Sequence, residues 1–219
     1  MTNHDTGTSA FRDALERMDK PLCVRLAVQM LQSKEQDIVG LYTQVLAPTL
    51  NNMTDSSENQ PASIWREHIR SSIIRTIIEC CYPYVLTEAE EKGTLTVKGK
   101  VVIVSPTDEY HELGARMGSD FFHLCGYETI FVGSNTPRAE MLKGLELENP
   151  DYVVINAVNF YNVFKVQKIV AEIKAAMPGL NILASGYAFR QDPNLYHKIG
   201  AISVIRTIDD ILALEGAQS

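Results

Sequence analysis

From residue 101 onward, short apolar runs rich in β-branched residues alternate with helix-length amphipathic segments. The runs are 101–104, 129–132, 152–157, 182–185 and 201–204, and helical patterns occupy about 115–125, 137–147, 161–177 and 191–198 between them. Thr207 followed by Asp210 reads as the capped start of a last helix through about Leu214. Strands joined in turn by helices must run parallel, with helices on both faces of the sheet. The pattern therefore predicts an α/β fold with a parallel, doubly wound, five-stranded sheet. In such sheets ligands are held by the loops beyond the carboxyl ends of the strands.

The first half carries no such alternation and reads as helices. Ser9 starts a short helix through about Met18, with Phe11, Leu15 and Met18 on one face. Pro21 sits near the first position of a second helix through about Gln32. Ser33 and Gln36 form a capping-box pattern for a third, from Lys34 to about Asn51, with Pro48 predicting a kink or an early stop. A fourth, from about Ala62 to Cys81, ends before Pro83, and its Ile64, Trp65, Ile69, Ile73, Ile77 and Ile78 predict a deeply packed face. Four helices of these lengths make a bundle. The expected division is a helical bundle over 1–84, an exposed linker over 85–98 and the sheet domain over 99–219.

Composition narrows the function classes. The 219 residues are 45% hydrophobic and carry a formal charge of −7. An acidic chain of this kind is a poor direct binder of DNA. No apolar run is long enough to span a membrane, and the N-terminus lacks a secretory pattern, so a cytoplasmic protein is expected. Cys23, Cys80, Cys81 and Cys125 show no zinc-ligand spacing and read as reduced thiols. No glycine-rich phosphate loop follows the first strand, which argues against nucleotide binding.

The loop after that strand contains Glu109-Tyr110-His111-Glu112-Leu113-Gly114. An imidazole at this edge can ligate a metal through one nitrogen, while a carboxylate two residues back orients the other. Gly114 lets the backbone approach something flat and large.

This segment resembles the Asp-x-His-x-x-Gly signature of cobalamin (vitamin B12) binding domains, with Glu109 where the common form has Asp. A Glu there is similar to the regulatory branch, which includes light-sensing, adenosylcobalamin-dependent repressors. The resemblance runs from about Leu22 to Leu214 and implies the flavodoxin-like strand order 2-1-3-4-5. It implies that His111 is the lower ligand to cobalt and that Glu109 accepts a hydrogen bond from it. It further implies that Asn156, Ser185 and Gly186 line the slot for the cofactor's nucleotide tail, in positions where relatives carry Ser and Gly-Gly. In the helical domain, Glu67-His68 matches the end of a Trp-x9-Glu-His pattern that covers the upper face of the corrin, and Trp65 lies close by. The Trp and the following His of that pattern fall on Ser57 and Glu58, so the repressors' bis-histidine light switch is not expected.

Cofactor-binding residues are therefore expected at Glu109, His111, Gly114, Asn156, Ser185, Gly186, Trp65, Glu67 and His68, with His111 the metal ligand. The expected cofactor is adenosyl- or methylcobalamin, with haem as the alternative. The function implied is a cobalamin-binding sensor or regulator; an enzymatic role is left open, as a methyl-carrier subunit. It lacks the repressors' DNA-binding domain and acts through a protein partner such as a transcription factor. The alternatives are a corrinoid carrier serving a methyltransferase, and a haem-binding sensor on the same fold. Self-association into a homo-oligomer is left open.

Overall fold

The computed structural model describes residues 3–51, 62–94, 97–190, 192 and 194–214. The chain separates into two compact units, Met1–Glu88 and Ala89–Ser219.

The first unit is helical. α1 is Asn3–Glu16 and α2 is Lys20–Gln32. The start of α1 lies six residues before the expected Ser9. A side chain at Gly7 would press on Glu35 and Met30, so the glycine lets this first turn lie close to its neighbours. Asp19 caps α2 through the Leu22 N–H at 3.0 Å.

The third helical run, α3, spans 38–51 and starts four residues later than the Ser33/Gln36 pattern suggested. Asp37 caps it instead, accepting from the Gly40 N–H at 2.6 Å. Pro48 does not stop it. The turns before the proline, Leu41–Leu46, widen into a π-helix, which fits a ring that supplies no N–H and crowds the preceding turn.

α4 is Ser63–Glu91 and continues through Pro83, where a stop was expected. Ile74, Ile78, Cys81, Val85 and Ala89 follow one another at spacings of three and four and are all buried. Burial on both sides of Pro83 offsets the hydrogen bond it costs. Glu88 accepts from the Ile38 N–H at 3.0 Å, which also caps α3. Much of the expected 85–98 linker is therefore helix. The expected packed face also begins later than Ile64 and Trp65, which are both about 70% exposed.

The second unit is the expected sheet. β1 (Lys100–Pro106), β2 (Glu128–Thr136), β3 (Tyr152–Asn156), β4 (Asn181–Ser185) and β5 (Ser203–Ile205) are all parallel, in the order β2-β1-β3-β4-β5. Its helices are α5 (Leu113–Leu124), α6 (Arg138–Glu148), α7 (Val163–Ala176), α8 (Leu195–Ile199) and α9 (Ile208–Leu212). The Thr207/Asp210 capping box opens α9 as expected.

Strand alternation divides the core in two. Val102, Val104, Val153, Ile155, Ile182 and Ala184 pack on the face of α6, α7 and α8. Val101, Ile103, Tyr152, Val154 and Leu183 pack on the face of α5 and α9. Both faces are covered by helices, so the strands are apolar throughout and their polar residues fall at the ends.

Among the described residues no helix is long and apolar enough to cross a membrane.

Candidate functional site at the carboxyl edge of the sheet

Residues 107–112 connect β1 to α5 and are braced from both sides. β2 runs four residues further than the sequence suggested, and its end holds this loop. The Asn135 N–H donates to the Glu109 carbonyl at 2.9 Å, and the Asp108 N–H donates to Asn135 Oδ1 at 2.9 Å. On the other side, Lys165 of α7 donates to the Asp108 carboxylate at 2.6 Å.

Glu109 is 1% exposed. Its Oε1 accepts from the main-chain N–H of His111 at 3.2 Å and from His111 Nδ1 at 2.7 Å. Its Oε2 accepts from the N–H groups of Val158 and Asn159 and from Asn162 Nδ2, at 2.9, 3.0 and 3.0 Å. Burial pushes the carboxyl pKa up, but the bonds from His111, Asn159, Asn162 and Val158 outweigh it and hold it down to about 2. Glu109 is therefore a fixed anion. The donors to Oε2 are all amides, which anchor the carboxylate without exchanging protons with it at ordinary pH.

His111 has its Nδ1 on this anion while its side chain is 60% exposed. A carboxylate on Nδ1 selects the tautomer with the proton on Nδ1 and leaves the basic lone pair on Nε2. The pair thus presents a single basic nitrogen of fixed tautomer, which could hold a metal.

Glu112, also buried, accepts from Arg116 Nε at 3.1 Å and from the Ser134 N–H at 3.2 Å. The Arg116 guanidinium lies 4.7 Å from the centre of the Phe131 ring. These contacts fix the start of α5 to β2. Beyond them, Gly114 and Gly118 face open space: a side-chain carbon at either would meet nothing within 4 Å.

Ser105, Asn156 and Ser185 end β1, β3 and β4. Asn156 and Ser185 are register partners. Asn156 donates from Nδ2 to Ser105 Oγ and to the His111 carbonyl, both at 3.0 Å, and Ser185 Oγ lies 3.5 Å from Asn156 Oδ1. Gly186 follows at φ +102°, and a Cβ there would sit 2.3 Å from the Ala157 carbonyl oxygen, so the turn requires glycine.

Of the residues expected at the site, Glu109, His111, Gly114, Asn156, Ser185 and Gly186 gather at this edge. Trp65, Glu67 and His68 lie on α4 in the helical unit, with Trp65 and His68 exposed and Glu67 half-buried. Ser57 and Glu58 lie outside the described residues. Sequence reasoning missed Asn162, Ser105 and the bracing role of Glu112. Asn162 lies far from Glu109 in the chain, and only the β1–β3 pairing brings them together. The second carboxylate of the motif, next to His111, was the signal available for Glu112.

A flat metal macrocycle fits these residues. One imidazole of fixed tautomer projects from the edge, and two glycines leave room beside it.

Residues 99–214, more than half of the chain, match the family described as the B12 binding domain. No curated protein matches the chain. Among solved structures, the monomethylamine corrinoid protein of Methanosarcina barkeri is similar, at 13% identity and a TM-score of 0.76. The match covers 94% of this chain and 96% of that one. A cobalamin-binding protein of Desulfitobacterium hafniense DCB-2 matches at 15% identity and a TM-score of 0.50, over 97% of this chain and 98% of that one. At these identities the likeness is one of fold.

Proposed function

Since the chain belongs to the B12 binding domain family, we propose that it is a corrinoid carrier of a methyl-transfer system, with a methyltransferase as its protein partner. The observation that carries the corrinoid part of this reading is the Glu109–His111 pair at the carboxyl edge of the sheet. The arrangement of helical segment and sheet domain in one chain, shared with a monomethylamine corrinoid protein, supports the carrier role.

In this reading His111 Nε2 would hold the cobalt of a bound corrinoid. Glu109 holds the imidazole in the tautomer that leaves Nε2 basic. The cobalt, when bound, supplies the chemistry of taking up and releasing a methyl group. The chain's own residues orient and anchor. The buried anion would stabilise positive charge on His111 when the metal is bound, and the amides of Val158, Asn159 and Asn162 keep that anion in place.

The regulatory reading rests on Glu109 standing where the common motif has Asp. Loading with a corrinoid separates the two. A carrier retains its oligomeric state when apo, loaded and illuminated samples are compared by analytical ultracentrifugation. A ligand- or light-dependent change of size supports the regulator.

The binding claim has its own test. Wild-type protein incubated with hydroxocobalamin and desalted should retain the corrinoid with the spectrum of nitrogen-ligated cobalt. His111→Ala should lose it or shift its spectrum. An unchanged spectrum and affinity in His111→Ala would remove His111 from the site.

A further inference from the structure

Resting on that reading of the site, we propose that Asn156 is a positioning residue that clamps the His111 loop to the sheet, rather than a contact for the cofactor's nucleotide tail. The argument begins with the register. Ile103 and Val154 point to the α5 face, so Ser105 and Asn156, each two residues on, point to the same face. Leu183 and Ser185 do likewise on β4. Ser105, Asn156 and Ser185 therefore form one polar row across three adjacent strand ends, directly below the loop that carries His111.

Within that row the carboxamide of Asn156 is committed. Its Nδ2 donates to Ser105 Oγ and to the His111 carbonyl, each at 3.0 Å. Its Oδ1 faces the Ser185 hydroxyl at 3.5 Å. The side chain is among the buried polar groups, at 2% residue exposure. The coordinating nitrogen of a lower base is an acceptor, and an amide whose two N–H bonds are already used has no donor to offer it.

The consequence falls on His111. Its main-chain N–H and its ring Nδ1 are held by Glu109, and its main-chain carbonyl is held by Asn156. Two buried side chains, Glu109 from the same loop and Asn156 from the end of β3, thus fix the residue at three points. A ligand held in this way keeps its direction before metal binds, which lowers the cost of ordering it on binding. Without Asn156 the ring would still be gripped, but the backbone beneath it would be able to shift.

Two corrinoids separate the clamp from a tail contact: hydroxocobalamin, which carries the nucleotide tail, and aquocobinamide, which lacks it. Wild type, Asn156→Ala and Asn156→Asp are titrated with each, following affinity and the fraction of cobalt with an imidazole ligand in the visible spectrum. The clamp predicts a loss of roughly tenfold in affinity, equal for both corrinoids, as expected for one or two buried hydrogen bonds. It also predicts that variant-bound cobinamide shifts toward water ligation. A loss confined to hydroxocobalamin would show that Asn156 contacts the tail and overturn the proposal, as would full retention of both affinities.

Circular dichroism melting checks that the variants fold. If both Asn156 variants fail to fold, Ser105→Ala decides the matter. It frees the other end of the amide and should weaken both corrinoids equally, by roughly threefold; no loss, or loss of one corrinoid alone, would overturn the clamp. Wild type that binds neither corrinoid would overturn the corrinoid reading itself, and this inference with it.

Discussion

Glu109→Gln tests the buried anion. The substitution keeps the size of the side chain but replaces one acceptor oxygen by a donor NH2 group. The native carboxylate receives five hydrogen bonds, two on Oε1 and three on Oε2. If the glutamine oxygen takes the three, its NH2 faces the main-chain N–H of His111, donor against donor. The imidazole must then accept through Nδ1, which moves the ring proton to Nε2, the nitrogen assigned to the metal.

The magnitude follows from linkage. The carboxyl is held at about 2 against an ordinary 4.5. A lowered carboxyl pKa stabilises the fold fully above the unfolded value, and that stability is lost as pH falls toward the folded value. The lowered pKa corresponds to about 3 kcal/mol at pH 7 and to less than half of that at pH 3. Urea unfolding of wild type and Glu109→Gln, followed by circular dichroism, should show gaps of about these sizes. A gap that is the same at pH 7 and pH 3 would refute the reasoning, since it would reflect packing and not charge.

Two other substitutions test the frame. Gly186→Ala should destabilise the apo protein by about 2 kcal/mol or more, through the positive φ and the contact with the Ala157 carbonyl; a melting temperature within a degree of wild type would contradict the stated geometry. Val85→Ala should cost about 2 kcal/mol, because Val85 is fully buried beyond Pro83 on α4; a negligible cost would return the segment to an exposed linker.

The sheet unit was legible because its strands are separated by helices and its apolar runs are short and β-branched. The order 2-1-3-4-5 needed the resemblance carried by Glu109 and His111, since alternation alone does not order strands. The helical unit was read less well at its boundaries. Pro83 suggested a stop, but Val85 and Ala89 continue the buried stripe of α4, and tertiary burial outweighed the local signal. Ser33 and Gln36 matched a capping box, yet Asp37 caps the helix. Trp65 and Ile64 looked like core residues by type, and both stand exposed at the start of α4.

At the site, spacing revealed the residues two apart in one loop, Glu109 and His111. It did not reveal Asn162, whose amide reaches Glu109 only because β3 lies beside β1. The resemblance placed Asn156 in the tail slot; its hydrogen bonds run to Ser105 and to the His111 backbone. Chain-distant hydrogen bonds are a property of register, which no local pattern encodes.

The central claim is that the protein, through His111, supplies the lower nitrogen ligand to a bound cobalt. The most direct measurement is electron paramagnetic resonance of cobalt(II) cobinamide bound to protein uniformly labelled with nitrogen-15. Cobinamide has no lower base of its own, so an axial nitrogen must come from the protein. The account predicts high-field cobalt lines split into doublets by one nitrogen-15 nucleus, turning to triplets in unlabelled protein and losing the splitting in His111→Ala. Lines without nitrogen splitting in the labelled wild-type protein, or doublets that persist in His111→Ala, would contradict it.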